Sequence, residues 1–307
     1  MQFLRACGFA IKSRLPLPEL SPAADISLIE HGSDSVEISL GPLEESVFGL
    51  KPAGVLYSAG RSRLYLRIPG LGRLDVKSGR SIRMELEDGS CSDYARTVIL
   101  SSVLGAIVHQ RGMLGLHANT LTPDGQKAVV LAGQCGSGKS TLAAQLIMRG
   151  WRSLADDLSA VSISPKPLIH PFGPFLRLWS DAVDRLKLDR GRLTRCRPGL
   201  NKWVLSLFDS EFHLAPLPVA SIVILTRTPR PSRLLERLSG AQSVSEVLKN
   251  AYRRNFIQPM NLAQSHFARA LSIVACVPVF RLHCDFNDSR AEEVIEAVTA
   301  TLAAGHN

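Results

Sequence analysis

The run Gly133-Gln-Cys-Gly-Ser-Gly-Lys139-Ser140 has the spacing GxxxxGK[ST], the signature of a loop that wraps its backbone around phosphate. The residue types follow from that task. Glycines let successive N–H groups turn inward, and the N-terminus of the helix that follows adds partial positive charge. Lys139 reaches the β- and γ-phosphates, and the Ser140 hydroxyl enters the shell of Mg²⁺. The expected nucleotide-binding residues are therefore Gly133, Gln134, Cys135, Gly136, Ser137, Gly138, Lys139, Ser140 and Thr141. A thiol at a helix N-terminus invites a redox role, but at Cys135 only the backbone need touch phosphate.

A phosphate loop names a ligand, not a reaction. Asp156 and Asp157 follow the loop after one helix and the short strand Arg152-Ser-Leu-Ala155. At the carboxyl end of a strand beside the loop, such a pair would face the terminal phosphate and its metal. His117 lies in Gly115-Leu-His-Ala-Asn119, upstream of the loop strand; a single histidine is more often structural, and spacing alone does not select it. Between Arg185 and Lys202 stand seven basic residues and one acid, Asp189. That run reads equally as a solvated face or as a mobile loop closing over phosphates or an acidic peptide, with Arg197 and Lys202 its leading members. Asn201-Lys202 begins like the guanine-reading NKxD, but position 204 is Val, which points to ATP. Leu238-Ser-Gly-Ala-Gln242 resembles the signature of ABC-transporter ATPases, yet no apolar strand ending in Asp-Glu follows it.

The elements that must position these residues are α/β. Ala128–Ala132 is an apolar strand, Thr141–Met148 a helix former ending near Gly150, and Val219–Leu225 a second buried-strand candidate. Upstream, 35–40, 63–68 and 81–86 alternate apolar and polar as half-buried strands, with Gly70, Gly72, Gly79 and Gly89 as turns. Residues 1–92 thus form a small β-rich domain. A helix capped by Asp93 runs to about Gln110 and stops at Gly112. Residues 164–213, rich in Pro, Gly and Arg, read as loop-heavy. Ser289-Arg-Ala-Glu292 is a capping box opening a last helix that ends before Gly305.

Composition bounds the rest. Of 307 residues 45% are hydrophobic and 21% charged, enough for a core and far from disorder. The net charge of +9 is uneven: residues 1–90 hold 11 basic and 11 acidic side chains, so the excess lies downstream, as in a phosphate-handling domain beside a neutral one. Without interleaved aromatics or a binding module, nucleic acid is not the expected partner. No apolar run approaches the ~18 residues of a membrane span, and the start lacks a cleavage site. Six cysteines without CxxC spacing read as reduced thiols, hence a cytoplasmic protein.

The stretch from Leu116-His117 through Gly133–Thr141 to Arg149-Gly-Trp-Arg-Ser-Leu-Ala-Asp-Asp157 resembles the catalytic domain of HPr kinase/phosphorylase. It is more similar still to HPr-kinase-related proteins, including the kinases of lasso-peptide gene clusters. Phe175-Leu-Arg-Leu-Trp-Ser180, Lys202-Trp203 and Tyr252-Arg-Arg-Asn-Phe256 extend the likeness. The resemblance implies a P-loop kinase domain over 93–307, with ATP and Mg²⁺ as cofactors and a possible homo-oligomer. By match, Asp156 would deprotonate or orient a serine hydroxyl, Asp157 would support Mg²⁺, and His117 would assist. The later signature serving phosphorylase activity and HPr docking is not found in this chain. What the resemblance implies is thus a kinase for a serine of a peptide or small protein, the C-terminal serine of a lasso precursor being the most specific substrate. A regulatory ATPase without an acceptor and a small-metabolite kinase are the alternatives.

Overall fold

A computed structural model describes residues 1–23, 35–43, 50–163, 165–197, 199–228, 232–284 and 290–303. Nine strands build the first sheet: β1 (Gln2–Ala6), β2 (Phe9–Ser13), β3 (Ser21–Pro22), β4 (Ser35–Leu40), β5 (Lys51–Gly54), β6 (Tyr57–Gly60), β7 (Arg63–Ile68), β8 (Gly72–Lys77) and β9 (Ser81–Leu86). Their spatial order is β3-β1-β2-β4-β9-β8-β7-β6-β5. The three alternating segments coincide with β4, β7 and β9, and their apolar sets, such as Val36 with Ile38 and Ile82 with Met84, are buried.

Helix α1 (residues 92–110) covers that sheet. Two α-helical pieces, Ser92–Val98 and Leu104–Gln110, flank a π-helical turn at Ile99–Val103. Asp93 sits in its first turn and Cys91 is the cap. Its buried face, Ala95 to Val108, joins one core with Ile38, Leu74, Val76 and Met84. The same cluster takes in Ala155, Leu158, Phe175 and Tyr252 from further along the chain, so apolar packing runs unbroken from the first sheet to the candidate site.

The second sheet contains β10 (Leu114–Thr122), β11 (Ala128–Gly133), β12 (Arg152–Ala155), β13 (Leu158–Ser162), β14 (Leu168–His170), β18 (Leu217–Arg227), β19 (Leu235–Leu238) and β20 (Val279–Cys284). A third, small sheet of β15 (Phe175–Trp179), β16 (Leu193–Arg195) and β17 (Lys202–Ser206) has the order β15-β17-β16. The helices are α2 (Lys139–Met148), α3 (Ser180–Arg185), α4 (Gly240–Lys249), α5 (Ala263–Cys276) and α6 (Ala291–Ala300). The molecule is a mixed α/β protein.

Strand β11 is buried on both faces, which explains its continuous apolar run. Val129 and Leu131 pack toward α2 and the small sheet, with Leu142, Leu146, Leu176 and Leu205. Val130 and Ala132 pack toward α4 and α5, with Val247, Ala270 and Ile273. The region expected to be loop-heavy, 164–213, instead contributes β14, the whole small sheet and α3. Its strands are three to five residues long, too short to show a period against the Arg- and Pro-rich background. Ser289 and Gly305 lie outside the described residues; α6 begins at Ala291, behind an Arg290–Glu293 ion pair of 2.8 Å. Among the described residues no helix is long and apolar enough to cross a membrane.

Where α1 meets α5, His109 and His266 are buried edge to face, with ring centroids 5.3 Å apart. His109 Nε2–H donates to the Tyr252 carbonyl at 2.7 Å. Burial holds His109 down at about 4, and burial together with the His109 and Arg269 charges holds His266 at about 3. Below pH of about 6.5 the unfolded chain therefore takes up protons that the folded chain refuses. The contribution of this neutral pair to stability is whole above that pH and is lost progressively toward pH 4. His266→Leu should flatten the fall in Tm between pH 7 and 5, read by thermal denaturation at a series of pH values.

Candidate functional site

The chain leaves β11 at Gly133, where only glycine fits. A Cβ there would meet the Ser137 hydroxyl at 2.6 Å and the Leu225 carbonyl oxygen at 2.7 Å. Gly136 and Gly138, at φ 79° and 88°, curl the loop through left-handed backbone. Helix α2 then starts at Lys139, and its ladder first closes from the Leu142 N–H to the Gly138 carbonyl. The N–H groups of residues 139–141 precede that ladder and point out of the helix N-terminus, an arrangement suited to an anion. Lys139 is 6% exposed. Its ammonium donates to the Gly133 and Gln134 carbonyls at 2.7 and 3.0 Å, which leaves one proton for a ligand. Burial draws it below the usual lysine value, opposed by the charges of Asp157, Cys135 and Asp156.

Strand β10 lies between the loop strand and the carboxylates. One edge pairs with β11, and the other pairs with β13 over Leu114–His117 and with β12 over Thr120–Thr122. The dyad strand was expected beside the loop; it stands one strand further away. Alternation along β10 buries Leu116 and Ala118 against the α5 side and turns His117 and Asn119 toward α2. A register shift between Thr120 and Leu121 marks a bulge opposite, in β12. Beyond it Asp156 comes level with Asn119, and the Ala118 N–H donates to the Asp157 carbonyl at 3.3 Å. Asp157 has φ 67° and is bridged by a hydrogen bond from the Leu158 N–H to the Asp156 carbonyl at 2.7 Å. That three-residue turn is a strained one for a residue with a side chain.

The turn sends the two carboxylates to different places. Asp156 is 1% exposed and does not line the cavity. Its oxygens accept from the Asn119 side-chain amide at 2.7 Å and from the Arg177 backbone N–H at 3.0 Å. Burial pushes its carboxyl above the usual range, with Arg177 opposing. Asp157 lines the cavity. It lies 3.0 Å from His117 Nδ1 and accepts the Tyr252 hydroxyl at 3.2 Å, with an Arg177 guanidinium nitrogen 4.0 Å away. Burial alone would raise its pKa; the His117 hydrogen bond and charge and the Arg177 charge outweigh that and hold it well below the usual range.

Around these groups is a cavity of about 460 Å³. It holds Lys139, Ser140 and Thr141 on the loop side and His117, Asn119 and Asp157 on the sheet side. Trp179, Arg185, Lys202 and Arg227 line it as well. Lys202 stands opposite Trp179 across the β15–β17 pairing, its ammonium 5.7 Å from a Trp179 ring centroid. Arg197 does not line the cavity; its guanidinium lies over the Tyr94 ring at 5.3 Å. The basic segment is folded and largely paired: Arg190 with Asp184, Arg192 with Glu211, and Arg195 over the Trp203 ring.

The structure thus brings together the loop residues, His117, Asp157 and Lys202, sets Asp156 behind them, and leaves Arg197 outside. Sequence reasoning missed Asn119, Arg177, Arg227 and the roles of Trp179 and Tyr252, and had Arg185 only as the first member of the basic run. Asn119 had a signal, a polar residue two positions from His117 and so on the same face of an extended strand. Tyr252 stood only within the segment 252–256 that extends the likeness, with no role given it; a bridge between Ala251 and Leu116 is what delivers it.

A phosphate chain and Mg²⁺ suit this donor set. The Ser137 hydroxyl is buried without a partner at the base of the loop. Among the described residues no three His, Cys, Asp or Glu side chains could hold a metal alone. Mg²⁺ commonly uses one or two protein oxygens plus phosphate, and Ser140 and Asp157 line the cavity that would supply them. For phosphoryl transfer at such a site, Tyr252→Phe should lower kcat about tenfold with KM for nucleotide unchanged, since it removes one hydrogen bond to a carboxylate and keeps the ring beside His117. Steady-state kinetics read both constants.

No protein-family model and no curated protein matches the chain. Among solved structures, the Hpr(Ser) kinase/phosphatase from Coxiella burnetii aligns over 62% of this chain and 95% of that chain, at 13% identity and a TM-score of 0.32.

Proposed function

We propose that the protein is an ATP- and Mg²⁺-dependent kinase that transfers the γ-phosphoryl group to a serine hydroxyl of a peptide or small protein. The observation that carries this reading is the facing of Lys139 and Ser140 by the His117–Asp157 pair across one cavity. Phosphoryl transfer needs alignment and neutralised charge more than covalent help. Lys139, the N–H groups of 139–141 and the Arg185, Lys202 and Arg227 side chains supply the charge.

Asp157 fixes His117. Accepting the Nδ1 proton leaves Nε2 as the free acceptor of the ring. In the proposed step the serine oxygen bonds to the γ-phosphorus as its proton passes to His117 Nε2, and the bond to the β–γ bridging oxygen breaks, releasing ADP. Ser140 and Asp157 would hold Mg²⁺, which when bound neutralises charge building on the phosphates. A carboxylate beside a divalent cation is a poor base, which is why His117 takes the proton here. Asp156, saturated by Asn119 and the Arg177 N–H, acts as a positioning residue and not as the base.

The test is incubation with Mg-ATP and serine peptides, including one ending in serine as a lasso precursor does, followed by mass spectrometry. A phosphate adduct on serine, retained by Cys135→Ser, supports the reading. ADP release with no labelled acceptor among peptides or metabolites would instead mean a regulatory ATPase.

A further inference from the structure

A second concavity lies away from the candidate active site. It is a groove of about 1200 Å³ between the β5–β6 end of the first sheet and the start of α5. Among the described residues, Lys51, Arg61 and Arg254 line it and are exposed, and no Asp or Glu does so. None of these three cations forms an ion pair among the described residues, although most arginines of the basic segment do. The floor is apolar. Ile257 is buried there and Phe267 is 48% exposed. The buried His266 also lines it, its Nε2 without a partner.

We propose that this groove docks an acidic, amphipathic segment of the phosphoryl acceptor, remote from the serine that is modified. The identification of the occupant rests on the kinase reading; the groove itself does not. Charge complementarity selects the partner: three cations without an ion pair among the described residues, in a groove that exposed Phe267 also lines, suit carboxylates alternating with large apolar side chains. Pro52 in β5 lacks an N–H, so side chains and not strand addition hold the segment. Nucleic acid fits the cations but leaves the exposed Phe267 of the groove uncovered.

The groove is also tied to the catalytic carboxylate. Arg254 and Asn255 line it, while Tyr252 in the same short segment holds Asp157. Asn255 and Tyr57 exchange hydrogen bonds of 3.2 and 3.3 Å, and Tyr57 packs edge-on against Phe256 at 5.1 Å. A segment seated in the groove therefore rests on the residues that support the site.

The probe is a fluorescein-labelled peptide of about twelve residues alternating Glu with Leu and Phe, read by fluorescence anisotropy against the full chain. Binding is expected, weakened at least about tenfold by R61E/R254E and several-fold by Phe267→Ala, and unchanged in Lys139→Ala. Absence of binding, equal binding of the Lys-for-Glu peptide, or indifference to R61E/R254E overturns the groove. So does a labelled oligonucleotide that binds in the peptide's place and is released by the same variant. A second arm fuses the acidic segment to a serine acceptor. KM for the acceptor should fall about tenfold at constant kcat, and R61E/R254E should reverse the gain. Binding without transfer to any acceptor would leave the groove standing, sink the kinase reading, and overturn the identification of the occupant as acceptor.

Discussion

Asp157→Asn is expected to lower kcat by about 10³-fold while Asp156→Asn lowers it by about tenfold or less. The two residues are neighbours in sequence, and the resemblance to HPr kinase gives the base to the first. Geometry argues for the second. Asn at 157 cannot accept the Nδ1 proton and stay a charged partner, so His117 loses the tautomer that leaves Nε2 open, and Mg²⁺ loses a ligand oxygen. Asn at 156 still accepts one hydrogen bond, and the Asn119 amide can turn to restore the other. Quench-flow or steady-state transfer assays on both variants, with melting curves to confirm folding, give the order. The reverse order would return the base to Asp156 and require its carboxylate to rotate into the cavity.

Lys139→Ala should abolish measurable transfer, a loss of at least about 10²–10³-fold, because it deletes a preorganised cation aimed at the developing phosphate charge. Its structural effect should be small. The variant loses two hydrogen bonds to the Gly133 and Gln134 carbonyls, but it also removes a nearly buried charge whose desolvation opposed folding. A Tm within a few degrees of the parent, together with loss of nucleotide binding in a fluorescent-analogue titration, is the expected pair of results. Full activity in Lys139→Ala would refute the loop assignment outright.

What was legible in the sequence was whatever has a period or a contiguous motif. β4 and β9 alternate cleanly because one face is buried, β7 alternates in its letters although Tyr65 is buried with Leu64 and Leu66, and the loop with its strand and helix is a single run of letters. β10 was not legible as a strand: it is buried almost throughout, so the weak alternation of Leu114, Leu116 and Ala118 with Gly115, His117 and Asn119 is not carried on into Thr120–Thr122, and its His, Asn and Thr dilute the apolar signal. Helix α5 escaped because it has no cap and a mixed polar face. Within the site, His117 became visible only through a family resemblance, and Arg177 and Tyr252 arrive from the small sheet and from the segment after α4. Such convergence is long-range pairing, which no local window contains. The split of Asp156 from Asp157 depends on one left-handed residue and one bulge, neither of which has a signature in the letters.

The intervening strand also acts as a ruler. Two inter-strand steps, roughly 9–10 Å, separate the backbone of the loop strand β11 from that of β12, at whose end the chain turns through Asp157. A tail one phosphate shorter would fill the cradle and stop before the acceptor. Under the proposed transfer, adenosine diphosphate should therefore occupy the loop as a competitor and not serve as a donor, length discriminating between the two nucleotides.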